Sequence, residues 1–74
     1  MPLNEGNAGV TCKIVDIAPK EEGMKKLLSF LGCYIGEEIT IISNLVSNLI
    51  VYIKGSRYSI DSRLAKAIYV SLDW

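Results

Sequence analysis

With 74 residues, the chain is long enough for one small domain, expected over 1–74, whose core is only a few side chains deep. Half of its residues are apolar and 22% are charged, a balance that excludes a disordered polypeptide. Eight basic and eight acidic side chains cancel, so the electrostatic footprint of a nucleic-acid binder is missing, and no self-repulsion stands against self-association.

Residues 1–9, with Pro2, Asn4, Gly6, Asn7 and Gly9, form a turn-rich lead-in without a period. From Val10 the pattern becomes that of a strand: Val10, Cys12 and Ile14 alternate with Thr11 and Lys13. The alternation then slips, since Val15 and Ile17 continue in the opposite phase, and one extra residue there predicts a β-bulge. Pro19 ends the strand. Met24, Leu27, Leu28 and Leu31 then follow the spacing of one helix face, and Gly32 is a natural helix stop. Glu21–Lys25 and Glu22–Lys26, acid first, are pairs one helical turn apart that suit the helix dipole.

After Gly36, Glu38–Ser43 reads as a second strand, followed by a turn containing Asn44, Ser47 and Asn48. Residues 49–54 form a third strand, Gly55-Ser56 a tight hairpin connection, and Arg57–Ile60 a fourth strand. Asp61 or Ser62 can cap a single helical turn through Leu64 and Ala67. Ile68, Val70 and Leu72 alternate with Tyr69 and Ser71 in a closing strand. The prediction is a mainly β fold: a small five-stranded β-barrel with one α-helix after the first strand and a helical turn before the last.

Cys12 and Cys33 are far apart, and a secreted chain of this size usually carries more cysteines. The first residues show neither the basic start nor the apolar run of a signal peptide, and no apolar stretch reaches a membrane span. The expectation is a reduced, cytoplasmic protein without direct membrane insertion.

In this layout the sequence resembles the FeoA family. Leu27-Leu28-Ser29-Phe30-Leu31-Gly32 matches that family's leucine-rich helix end, and Gly36-Glu37-Glu38-Ile39 matches the opening of its second strand. Gly55-Ser56-Arg57 matches its glycine-x-arginine hairpin, and Ala65 with Ile68 its closing segment. Ile35 stands where the family often has proline, and Asp61-Ser62 precede Arg63 where it is often more basic. The resemblance implies an SH3-like barrel that supports ferrous iron uptake through a FeoB-type membrane GTPase transporter. The same type of domain occurs at the C-terminus of DtxR-like repressors, which gives the alternative of a stand-alone metal-binding or metal-sensing domain.

Catalysis has little to work with. There is no histidine to carry acid–base chemistry at neutral pH, no base placed for the serines, and no glycine-rich phosphate loop. The neighbouring carboxylates Glu21/Glu22 and Glu37/Glu38 suit a solvated surface better than a paired acid–base site. For a metal, the chain offers two isolated cysteines and scattered carboxylates without a close-spaced ligand pair. Cys12 lies on the apolar phase of its strand and reads as core. Cys33, just past the helix stop, is the one candidate ligand for weak transition-metal (Fe2+) binding.

The more informative residues are apolar ones on the outward phase. If Ile39 and Ile41 with Leu49, Val51 and Ile53 line the barrel, then Ile42, Ile50 and Tyr52 face the other way. Leu45 and Val46 are placed at the loop tip, with Tyr34 nearby. Exposed together, these residues would form an apolar patch fit to dock a partner. Arg57, beside the hairpin turn, would offer its guanidinium fork to an acidic group on that partner.

Overall fold

The computed structural model of the chain describes residues 1–72; the last two positions of the expected 1–74 domain lie outside the described residues. In chain order the elements are a short 3-10 turn (Leu3–Glu5), β1 (Thr11–Ile17), α1 (Glu22–Leu31), β2 (Glu38–Asn44), β3 (Asn48–Ile53), β4 (Ser56–Asp61), α2 (Ser62–Lys66) and β5 (Ile68–Ser71). The strands form one antiparallel sheet in the order β4-β3-β2-β1-β5. The sheet is coiled but not closed, because β4 and β5 at its two ends are not hydrogen-bonded to each other.

Alternation sets which side chains form the core. Cys12 and Ile14 of β1, Ile39 and Ile41 of β2, Leu49, Val51 and Ile53 of β3, and Ile68 and Val70 of β5 are all buried, as are Leu28 and Leu31 of α1. Each aliphatic side chain buried this way contributes on the order of 1.5–3 kcal/mol, so the inner face supplies most of the stability. The predicted slip in β1 is a bulge: the β1–β5 register shifts between Ile14 and Asp16, and Val15, the extra residue, faces out. A second shift lies between Ile41 and Ser43 in β2, where Ile42 is the extra residue.

Helix α1 stops as its sequence dictates. Gly32 adopts φ 84°, the left-handed conformation that glycine reaches without a Cβ clash. The Gly32 N–H donates to Ser29 O (3.1 Å) and the Cys33 N–H to Leu28 O (2.9 Å), the paired bonds of a Schellman motif. In α2, Asp61 is the cap: its Oδ1 accepts from the Leu64 N–H at 2.7 Å.

Four expectations change. The lead-in is not irregular throughout: Leu3 is fully buried, and Pro2 bridges to Tyr69 at the edge of β5. Gly6 lies so close to Ile41 that a Cβ there would collide with its side chain, which seats the lead-in on the core. Leu27, expected on the buried helix face, is 45% exposed, because α1 rests on a narrow stripe of Leu28 and Leu31 with Met24 beside them. The β3–β4 hairpin turns at Lys54-Gly55, not Gly55-Ser56: both have positive φ (49° and 84°), as a two-residue type I′ turn requires. The Glu–Lys pairs of α1 do not close into ion pairs; among the described residues the salt bridge is Lys54 Nζ to Glu37 Oε1 at 3.4 Å.

Candidate partner-binding site

The outer face of β2, β3 and β4 is assembled by cross-strand pairing. Tyr52 stands opposite Thr40 on one side and Arg57 on the other, so Thr40, Tyr52 and Arg57 form one row. Thr11 of β1 extends it, its hydroxyl 2.9 Å from that of Thr40. In the next row Ile50 stands opposite Ser43 and Ser59, and the bulge places Ile42 beside it. Ile42 and Tyr52 are exposed and Ile50 is half-buried, flanked by the polar side chains of Thr40, Ser59 and Asn48. Asn48 Nδ2 donates to Ser59 Oγ at 3.0 Å, fixing that margin. The patch is therefore a small apolar centre with a polar rim and, among the described residues, a guanidinium outside any ion pair.

The other two parts of the predicted site lie at opposite ends of β3. Leu45 and Val46 occupy the β2–β3 loop, where Val46 is 85% exposed and held at φ 72°, a conformation costly for a β-branched residue. Asn44 imposes that shape: its Oδ1 accepts from the Val46 N–H at 3.0 Å, while its Nδ2 donates to Asn4 O and Gly6 O of the lead-in. Tyr34 is at the far end. Its hydroxyl donates to Ser29 O (3.2 Å), and Lys54 Nζ sits 5.1 Å from the ring centroid, a cation–π contact. The stem of Lys54 lies over Gly32, where a side chain would crowd it. Tyr34 is thus part of the clamp joining the end of α1 to the hairpin turn, not of the Ile50–Tyr52 patch.

Sequence reasoning missed a second group of exposed apolar side chains around that clamp: Phe30 (84% exposed), Ile35 (66%) and Leu27. The signal was present, since Phe30 falls off the helical face defined by Met24, Leu28 and Leu31 and follows Leu27 by one turn.

Cys33 is buried against Leu28 at the floor of a shallow cleft, and burial pushes its thiol up to about 11. Cys12 is also buried and its thiol is raised by the same desolvation, the N-terminal charge only partly opposing it. A thiol kept neutral is neither a ready nucleophile nor a ready metal ligand. Among the described residues no group of three or more histidine, cysteine, aspartate or glutamate side chains is placed to hold a metal ion. No helix among them is long and apolar enough to cross a membrane.

A five-stranded coiled sheet with a helix between its first two strands and a helical turn before its last defines a small SH3-like domain. The FeoA domain family model matches residues 1–72, and the chain belongs to that family. Compared with curated proteins, it has no significant match. Among solved structures it is similar to the iron uptake regulatory protein FeoA (24% identity, 95% of this chain and 93% of that one, TM-score 0.87). It is also similar to the zinc complex of FeoA from Stenotrophomonas maltophilia, a prokaryotic SH3 domain protein put forward as a ferrous iron transport activating factor (20% identity, 96% and 89%, TM-score 0.84). A third likeness, to IdeR of T. acidophilum, covers 99% of this chain but 34% of that one, at 23% identity and TM-score 0.89. At these identities the likenesses show the fold.

Proposed function

We propose that this protein is a cytoplasmic accessory factor of ferrous iron uptake, acting without catalysis by docking on the cytoplasmic part of a FeoB-type membrane GTPase transporter. Membership of the FeoA family supplies the link to ferrous iron transport. The observation that carries the docking mode is the outer face of β2–β4, where Ile42, Ile50 and Tyr52 form an apolar centre beside Arg57. Apolar contact there would supply affinity, and Arg57 would select a carboxylate on the partner. The metal-sensing alternative has less support, because Cys33 is buried and its thiol is held neutral.

The test is a binding measurement with the transporter's purified cytoplasmic domains. The wild-type chain should bind, and the double substitution Ile50→Thr with Tyr52→Ser should abolish binding while the amide spectrum stays dispersed. Undiminished binding by the double variant would remove the patch from the interface.

A further inference from the structure

The two ends of the sheet are finished differently. The outer edge of β5 is covered by the chain's own start: the N-terminal amine of Met1 donates to Val70 O at 3.0 Å, the Val70 N–H donates to Met1 O at 2.8 Å, and Pro2 bridges to Tyr69. The outer edge of β4 has no such cover. The two-residue turn at Lys54-Gly55 makes Ile53 and Ser56 a hydrogen-bonded pair, and bonded and unbonded pairs then alternate along the hairpin. Ser56, Tyr58 and Ile60 therefore turn their backbone groups toward β3, while Arg57 and Ser59 turn theirs outward. Among the described residues, no backbone hydrogen bond reaches Arg57 or Ser59 from outside the sheet. An edge of this kind is a template for another strand unless something blunts it.

We propose that β4 is a self-pairing edge, and that two copies of this chain join it antiparallel about Ser59 to make one continuous sheet. The charges on the strand support this occupant. In the sequence Ser56-Arg57-Tyr58-Ser59-Ile60-Asp61, pairing Ser59 with Ser59 of the second copy sets Arg57 opposite Asp61 of that copy, and Asp61 opposite its Arg57. Both side chains are exposed and share the outer face of the strand. One Asp61 oxygen caps α2, and the carboxylate has acceptor capacity left for a guanidinium. A slip by two residues loses both ion pairs, and parallel pairing would set Arg57 against Arg57, so the charges select one arrangement. A formal net charge of zero leaves no long-range repulsion between copies. The symmetry is two-fold and closes at the dimer. The inference rests on the backbone edge of β4; it shares Arg57 with the docking patch, and sedimentation of the chain alone tests it without the transporter.

Sedimentation velocity of the full chain tests it, over concentrations from about 10 µM to about 1 mM, the range in which a weak dimer dissociates. A monomer–dimer equilibrium is expected, weakening with salt. Ser59→Pro deletes an outward N–H while leaving the β3 ladder intact, and should weaken the dimer at least tenfold. Arg57→Glu, at an exposed position that cannot disturb the core, should do the same. The decisive arm mixes two variants: Arg57→Glu and Asp61→Lys each repel their own kind, but together restore both ion pairs and should form a heterodimer. A chain that stays monomeric to about 1 mM would overturn the proposal. So would a dimer unchanged in both Ser59→Pro and Arg57→Glu.

Discussion

Strands β2 and β3 carry two apolar faces made of much the same residue types, one sealed from solvent and one open to it. Inward, Ile39, Ile41, Leu49, Val51 and Ile53 are essentially without solvent contact. Outward, Ile42 and Tyr52 remain about 40% and 48% exposed, beside a half-buried Ile50. The inner face is continuous and holds the fold; the outer face is small, rimmed by Thr40, Ser59 and Asn48, and interrupted by a charge at Arg57. The lesson is that hydrophobicity alone does not mark a side chain as core. The neighbours across the strand decide, and adjacent residues of one type can differ several-fold in what they contribute.

Ile41 and Ile42 are the sharpest way to break that comparison. Ile41→Ala empties a fully buried site against which Gly6 also packs, and should cost about 3 kcal/mol. That is a large part of the roughly 5 kcal/mol expected of a small domain, and chemical denaturation would show a marked fall in midpoint. Ile42→Ala, one residue on, should cost less than about 1 kcal/mol. Equal losses at the two positions would mean that the outer residue is as structural as the inner one.

Cys33 gives the next effect, read through pH. Its folded-state thiol is pushed up to about 11 from an ordinary value of about 9, because burial disfavours the thiolate. In the unfolded chain the proton leaves first as pH rises, so the unfolded state binds fewer protons and stability falls between about pH 9 and 11. The contribution is fully present below that window and amounts to roughly 2–3 kcal/mol. Thermal unfolding across pH 8 to 11 should therefore show a steeper alkaline loss in the wild type than in Cys33→Ala. Matching slopes would mean that Cys33 is not buried as a thiol.

Val46 comes next in size, and here the sign reverses. A β-branched residue at φ 72° is strained by about 1–2 kcal/mol, and Val46→Gly relieves this while adding some unfolded-state entropy. The net expectation is a gain of about 0.5–1 kcal/mol in denaturant melts. If the strained valine is kept for contact, the same variant should bind the partner more weakly despite its greater stability.

Much of this architecture was legible in the residues. Alternation located the strands, the phase slip at Val15 predicted the first bulge, Gly32 marked the helix end, and Asp61 the cap. What escaped is non-local. The bulge at Ile42 exists only relative to β3, so β2 alone gives no sign of it. Leu3 sits in a turn-rich segment without a period, and its burial depends on a lead-in that is tied to β5 at Pro2 and to Ile41 of β2 at Gly6 and Gly9. Within the candidate site, the outward phase of Ile42, Ile50 and Tyr52 was readable from period two, but the separation of Tyr34 from Leu45 and Val46 was not. Those residues attach to opposite ends of β3, and Lys54 rather than Tyr52 is the neighbour of Tyr34.

The smallest stability effect belongs to the outer patch itself, and it makes the most specific claim about function. Tyr52 is half-exposed, its hydroxyl makes no hydrogen bond among the described residues, and Ile50 is only partly covered, so Tyr52→Ser with Ile50→Thr removes little buried area. Threonine and serine also keep or approach strand-compatible character on a face already lined by Thr40 and Ser59. The double variant should unfold within about 1 kcal/mol of the wild type, well short of the loss at Ile41 alone. If binding to the transporter's cytoplasmic domains falls at least tenfold while stability barely moves, the two faces are separable, one for folding and one for contact. A double variant that loses stability and binding in proportion would instead show the outer face to be an extension of the core.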